Sequence, residues 1–164
     1  MMKEKKKTAT KQNGGLSEDC CYLWSKKLPA AKRFKLVLDG EAVLDKETGL
    51  VWERSPNTVK NWGDAIVHCR QKAIGGRKGW RLPTIEELAS LVDPTRSSPA
   101  LPSGHPFILP TPTGEYWSST MAPSAFNGFP SQGWVLILGS GNVNTDHKAN
   151  GMNVWSVRGG QGPL

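Results

Sequence analysis

The sequence lacks the features of membrane-spanning chains and of disulfide-rich secreted domains. No apolar run approaches the roughly 20 residues of a membrane helix, and the basic N-terminus is not followed by the apolar stretch of a signal peptide. Cysteines are scarce, and the odd number of three (Cys20, Cys21 and Cys69) does not form a disulfide framework. We expect no membrane insertion, and the sequence leaves the localisation open.

Patterns that mark catalytic and metal sites are also lacking. The sequence has no nucleophile elbow, phosphate loop or dinucleotide-binding fingerprint. His68, His105 and His147 are widely separated, and none has a metal-ligand partner at short spacing. Glu86 and Glu87 are neighbours on a predicted helix and point in different directions, which does not suit a catalytic carboxylate pair. We therefore predict that the protein is not an enzyme and has no cofactor and no metal site.

Excess positive charge is confined to the N-terminus, although the whole chain carries a formal net charge of +7. Residues 1–35 hold ten Lys or Arg and three Asp or Glu, whereas residues 36–164 hold eleven of each. A neutral body argues against a dedicated nucleic-acid-binding fold, because phosphate recognition needs concentrated positive charge. We predict a basic, largely disordered leader over residues 1–33 and one domain over residues 34–164. Nucleic acid would then bind only through the leader.

Short elements joined by turns are expected from a chain with 18 Gly and 12 Pro. Asp39-Gly40 is a hairpin turn signal, Asn61 can cap a first helix, and Thr84 with Glu87 forms the capping box of a second. The strands are predicted at residues 34–38, 42–45, 50–53, 116–119, 134–138 and 154–157, and a Pro-rich ordered loop at residues 94–114. Strands, two helices, a long loop and further strands in this order predict an α+β fold.

Four motifs in register resemble the Lcl_C family, the C-terminal domains of bacterial collagen-like adhesins. Residues 44–53 are similar to its "D-x-x-T-G-L-x-W" opening, and residues 79–88 to its "W-R-L-P-T-x-x-E-L" motif; Tyr-Trp-Ser-Ser-Thr at 116–120 and Val-Arg-Gly-Gly at 157–160 complete the set. The resemblance covers roughly residues 34–160. It implies a C-type-lectin-like fold, with a short antiparallel sheet, two helices and a long irregular loop region. It also implies binding of carbohydrate or a cell-surface protein, without known catalysis.

Asparagine is concentrated near the C-terminus, where five of the eight Asn lie between residues 127 and 153. Some C-type-lectin-like proteins are variable products of diversity-generating retroelements, which mutate codons such as those for Asn, so the resemblance adds a diversified binder to the interpretations. The turn preference of Asn is the alternative explanation. We expect the Pro-rich loop and the C-terminal turns to form the ligand surface, with aromatic faces for stacking and amides that donate and accept hydrogen bonds. The candidate ligand-binding residues are Trp117, Asn127, Trp134, Asn142, Asn144, Asp146, Asn150 and Asn153, with a core role as the alternative for the two tryptophans.

Several residues of the motifs are expected to serve structure rather than ligand binding. Trp80 is predicted to fill the core and Arg81 to make a buried ion pair or carbonyl contacts. Family members often carry a cysteine that bridges to the position of Cys69, but Ser156 stands there, so the resemblance implies a reduced, buried Cys69 and no cross-link. The Glu-Pro-Asn and Trp-Asn-Asp triplets of calcium-dependent lectins are missing, so binding is predicted to be calcium-independent.

Two other functions are alternatives to the binding module. One is a scaffold domain whose basic leader binds nucleic acid or another acidic partner. The other is an oxidase like the formylglycine-generating enzymes, which share the broad fold, but Cys20, Cys21 and Cys69 do not match the placement of their reactive cysteines. The ligand and the oligomeric state stay open, although trimers are common among the relatives and a homo-oligomer fits the resemblance.

Overall fold

The computed structural model describes residues 28–123 and 131–159. Within these ranges the chain forms two sheets and three helices, which is an α+β architecture. The elements are α1 (Ala30–Arg33), β1 (Phe34–Val37), β2 (Ala42–Asp45), β3 (Val51–Glu53), β4 (Thr58–Lys60), α2 (Trp62–Gln71), α3 (Ile85–Ser90), β5 (Glu115–Met121), β6 (Gln132–Ile137), β7 (Asn142–His147), β8 (Met152–Val154) and β9 (Val157–Arg158). None of the helices in these ranges is long and apolar enough to cross a membrane.

The first sheet has four antiparallel strands in the order β1-β2-β3-β9. Its β1–β2 hairpin turns through Leu38, Asp39 and Gly40, whose φ angles of 52°, 54° and 84° lie in the left-handed region. Asp and Gly tolerate that region, which confirms the turn predicted at Asp39-Gly40. The pairing of β3 with β9 brings an early and a late part of the domain together.

The second sheet has five strands in the order β4-β8-β5-β6-β7, and its β5–β8 pair is parallel. The expected short antiparallel sheet is thus present as two sheets, of which the second is mixed. The strand predicted at residues 154–157 is split, because Val154 ends β8 in this sheet and Val157 begins β9 in the other. Trp155 lies between them, fully buried, and its indole N–H donates to the Glu53 carbonyl at 2.8 Å. This buried side chain fixes the crossing of the chain between the sheets.

Both predicted helix starts are confirmed. At the start of α2, Asn61 Oδ1 accepts from the Asp64 N–H at 2.9 Å. At the start of α3, Thr84 and Glu87 form the reciprocal capping box, since the Glu87 carboxylate accepts from the Thr84 N–H at 2.9 Å. These caps satisfy N–H groups that have no partner inside a helix.

Two buried clusters hold the sheets and helices together. The larger surrounds Trp155, whose ring packs against those of Trp52, Phe107 and Tyr116 with centroids 4.9–5.5 Å apart. Burial raises the pKa of the Tyr116 phenol to about 12. The smaller cluster lies between α2 and the second sheet and contains Ala65, Cys69, Leu82, Trp117, Val135 and Val154.

The chain joins the packed body before residue 34. Ala30 and Arg33 of α1 are buried, and the Arg33 guanidinium forms two hydrogen bonds with the Asp45 carboxylate, at 2.9 and 2.6 Å. The boundary predicted between residues 33 and 34 thus falls within a packed region. The prediction of a disordered leader concerns mainly residues 1–27, which lie outside the described residues.

Candidate functional site

Strand β7 brings three of the predicted ligand-binding residues to one face of the second sheet. Asn142, Asn144 and Asp146 alternate along the strand, and alternate strand residues point to the same side. Asn142 and Asn144 are exposed and Asp146 is half-buried. Residues 142–147 were expected to lie in the C-terminal turns, but they form β7. This strand is the last one of its sheet and therefore an edge strand.

The turn after β7 adds a fourth predicted residue to this face. The Asn150 side-chain amide donates to Asp146 Oδ1 at 2.7 Å. Asp146 Oδ1 also accepts from the His147 N–H at 2.6 Å, and Asn144 Oδ1 accepts from the Thr145 N–H at 2.8 Å. These bonds hold the carboxylate and the two amides in defined orientations.

The aromatic ring of Trp62, the first residue of α2, borders the same surface. A Cβ added to Gly133 would lie 3.0 Å from Trp62 Cδ1, so the indole of Trp62 packs directly over this glycine. Gly133 pairs with Asp146 across β6 and β7, and paired residues share a face. Lys148 Nζ lies 4.2 Å from the Trp62 ring centroid, within the range of a cation–π interaction.

We call this surface the amide face and define it as Asn142, Asn144, Asp146, Asn150, Trp62 and Lys148. Its side chains offer several polar atoms to a ligand. The Asn142 side chain and the Asn144 amide nitrogen have no hydrogen-bond partner within residues 28–123 and 131–159. The second carboxylate oxygen of Asp146 and the amide oxygen of Asn150 are likewise left without one there. The face therefore presents both donors and acceptors around a half-buried indole.

The other predicted residues do not join the amide face. Trp117 is fully buried in the smaller core cluster, and its indole N–H donates to the Lys60 carbonyl at 3.0 Å, so its ring offers no surface to a ligand. Trp134 is half-buried and points to the opposite face of the sheet, paired with Thr145. Asn153 lies on β8, where its amide donates to the Glu115 carbonyl at 3.0 Å. Asn127 lies outside the described residues.

The Pro-rich loop, which was expected to share the ligand surface, lies against the turn before β7 and contributes no residue to the amide face. The Ser98 and Ala100 N–H groups donate to the carbonyls of Gly139 and Leu138, at 2.9 and 2.8 Å. The loop also forms one wall of a cleft of about 430 Å³. The opposite wall is formed by residues 28–30, and the cleft is lined by none of the residues of the amide face.

The Trp-Arg-Leu-Pro motif around Arg81 has a structural role, as predicted. Trp80 is buried and donates to the Arg77 carbonyl. The Arg81 guanidinium forms two hydrogen bonds with the Glu87 carboxylate, at 2.7 and 2.6 Å, and a third with the Gly159 carbonyl. Burial alone would raise the pKa of Glu87, but the hydrogen bonds from Arg81 and Thr84 and the charge of Arg81 together lower it. The ion pair is partly exposed rather than buried.

Cys69 is a buried, free thiol beside Ser156, which stands where family members often carry the cysteine of a disulfide. Ser156 Oγ lies 3.3 Å from Cys69 Sγ, and both side chains are fully buried. Burial raises the pKa of the Cys69 thiol, and the hydrogen bond from Ser156 only partly offsets this. A raised pKa disfavours the thiolate, so Cys69 is not set up as a nucleophile. Within the described ranges, no group of three or more His, Cys, Asp or Glu side chains could hold a metal ion.

Two histidines are expected to make the stability of the domain depend on pH. Burial lowers the pKa of His105, and burial together with Lys72 lowers that of His68, below the usual 6.5. The unfolded chain then binds more protons, so the free energy of unfolding should fall as the pH drops below 6.5. The slope is at most about 1.4 kcal/mol per pH unit for each histidine, and partial exposure of the rings keeps it smaller.

Urea denaturation between pH 7.5 and 5.5 measures this slope. In this window the effect of Glu87 stays small, because its lowered pKa places its contribution at more acidic pH. The variant His105→Gln should show a shallower slope than the wild type. An unchanged slope in both His105→Gln and His68→Gln would refute this origin of the pH dependence.

Comparison with known proteins supports the resemblance noted in the sequence. No curated protein matches the chain. The model of the family described as Lcl C-terminal domain matches residues 41–158, which span all strands from β2 to β9 and therefore include the amide face. The matched segment is more than half of the 164 residues. The chain therefore belongs to the Lcl C-terminal domain family.

Proposed function

We propose that the protein is a non-catalytic, adhesin-like binding module of C-type-lectin-like fold. Its ligand is a carbohydrate or a cell-surface protein, and the amide face is the surface that binds it without calcium. The observation that carries the proposal is the clustering of Asn142, Asn144, Asp146 and Asn150 on one exposed face beside Trp62. Membership of the Lcl C-terminal domain family supports an adhesin-like role.

The chemistry of the amide face suits a ligand rich in hydroxyl groups. Amide and carboxylate groups at the ends of neighbouring side chains supply hydrogen-bond donors and acceptors. A sugar hydroxyl can pair with either kind, because it both donates and accepts hydrogen bonds. Asn144, Asp146 and Asn150 are already oriented by hydrogen bonds at 2.6–2.8 Å, so little side-chain entropy remains to be lost on binding. The half-buried indole of Trp62 adds an apolar surface at the border.

The position of these residues also supports a variable binder as a form of the same function. Asn142 and Asn144 are exposed on an edge strand, so most substitutions there leave both core clusters unchanged. A retroelement-diversified binder would need variable positions of this kind. Sequencing of the locus from many isolates tests this, because diversification predicts substitutions concentrated at the exposed residues Asn142, Asn144 and Asn150.

The experiment that tests the proposed function is a binding screen with the full chain. The probes are an array of defined oligosaccharides and a panel of purified surface glycoproteins, each with calcium and with excess chelator. Binding that is equal in both conditions is the expected result. Binding that chelator abolishes would contradict calcium independence, and no binding to any probe would count against carbohydrate as the ligand class.

A truncation separates this function from the scaffold alternative, in which the basic leader binds an acidic partner. The truncation should remove residues 1–27 and keep residues 28–33, because Arg33 is part of the buried structure. The amide face predicts unchanged binding in the truncated chain. Loss of binding on truncation, together with binding of the full chain that weakens as the salt concentration rises, would favour the leader.

A further inference from the structure

Strand β7 is the longest open edge in the part of the chain that the structure describes. The strand orders of the two sheets place β1, β9, β4 and β7 at edges. Of these, β7 has six residues, whereas β1 has four, β4 three and β9 two. An edge strand presents unpaired N–H and C=O groups that a strand of another chain can join. The longer the edge strand, the greater the risk of such unwanted pairing. A blocking device is therefore expected at β7 above all.

The ladder with β6 shows which backbone groups of β7 point outward. The Lys148 N–H donates to the Ser131 carbonyl at 2.9 Å and continues the antiparallel pairing beyond the strand end. Backbone groups of successive residues alternate between inward and outward in such a ladder. Lys148 faces inward, so Val143, Thr145 and His147 direct their N–H and C=O groups outward.

Three of these six outward groups already have partners from within the chain. Asn144 Oδ1 accepts from the Thr145 N–H at 2.8 Å, and Asp146 Oδ1 accepts from the His147 N–H at 2.6 Å. The His147 carbonyl accepts from the Asn150 N–H at 2.8 Å. An incoming strand would therefore have to displace two side-chain oxygens and one turn hydrogen bond.

We propose that the side chains of Asn144 and Asp146 block strand pairing at the outer edge of β7. Without these side chains, the edge would pair with β7 of a second copy of the chain. Antiparallel pairing centred on Thr145 would match the outward groups of the two copies. It would place Val143 opposite His147, and Asn144 opposite Asp146, so that no like charges meet. Pairing of this kind is two-fold symmetric and forms a closed dimer.

The test measures the mass of the full chain in solution, without any ligand, by light scattering over a hundredfold range of concentration. The variant Asn144→Val with Asp146→Val removes both acceptors and adds side chains that favour strands. Its mass is expected to rise with concentration to about twice that of the wild type. The matched control, Asn144→Asp with Asp146→Asn, keeps both Oδ1 acceptors and should keep the wild-type mass. Equal masses of the valine variant and the wild type at all concentrations would overturn the proposal.

A third substitution shows whether the new contact runs through β7. Val143→Pro removes an N–H that points outward, so it breaks no bond to β6 but prevents pairing at the edge. Added to the valine variant, it should restore the wild-type mass. A doubled mass that persists with Val143→Pro would place the contact elsewhere and refute the role of β7. If the double valine variant aggregates, the single variant Asn144→Val takes its place. The single variant should dimerise more weakly than the double variant. Since no ligand is present, these outcomes do not depend on the proposed binding function.

Discussion

Replacement of Arg33 by methionine is expected to lower the free energy of unfolding by about 3–5 kcal/mol. Arg33 and Asp45 are both fully buried and are joined by two hydrogen bonds, so the substitution leaves a buried carboxylate without its counter-charge. The lost bond to the Ser90 carbonyl adds to the effect. Urea denaturation measures the change, and the midpoint of thermal unfolding should fall by about 10–15 °C.

Two further variants identify the buried charge as the cause. Lys32→Met changes the exposed neighbour on the same helix and should leave stability within about 0.5 kcal/mol of the wild type. Arg33→Met combined with Asp45→Leu removes both charges and should recover most of the loss, because a buried pair is costly mainly when one partner remains. A double variant as unstable as Arg33→Met alone would show that packing, not charge, accounts for the effect.

The second large effect is a gain, expected from Ser156→Cys under oxidising conditions. Ser156 Oγ lies 3.3 Å from Cys69 Sγ, so a sulfur atom at position 156 would lie within reach of disulfide formation. The two residues are 87 positions apart. A cross-link that closes a loop of this length would stabilise the domain by up to about 4–5 kcal/mol through the unfolded state.

Thiol titration in denaturant, with Cys20→Ser and Cys21→Ser as the background, measures the bond directly. Two free thiols are expected before oxidation and none after it, and a reducing agent should reverse the gain in stability. Ser156→Ala in the same background is the control and should not respond to oxidants. Two thiols that persist after oxidation would show that positions 69 and 156 are not placed for a disulfide.

The elements that sequence reasoning placed correctly are those that local chemistry determines. The turn at Asp39-Gly40, the cap at Asn61 and the capping box of Thr84 and Glu87 each depend on contacts within a few residues. Side-chain oxygens satisfy nearby N–H groups there, whatever the rest of the chain does. Such signals can be read from the sequence alone.

The elements that could not be predicted from the sequence depend on partners that are distant along the chain. Strand β7 carries only one apolar residue, Val143, and Asn is unfavourable in strands, so only its pairing with β6 explains its conformation. The assignment of residues 154–157 to one strand failed because the apolar pattern does not tell which sheet a residue joins. The packing of Trp62 over Gly133, 71 positions later, leaves no signal in the local sequence.

The most direct test of the account is the affinity of two asparagine variants for the strongest-binding probe of the screen. Asn142→Ala removes an exposed amide of the amide face whose side chain accepts no hydrogen bond from the backbone of β7. The control Asn57→Ala removes an exposed amide next to β4, at the other edge of the sheet. Loss of one or two hydrogen bonds should weaken binding by Asn142→Ala about 3- to 10-fold, with Asn57→Ala unchanged. Full affinity in Asn142→Ala, or an equal loss in both variants, would contradict binding through the amide face.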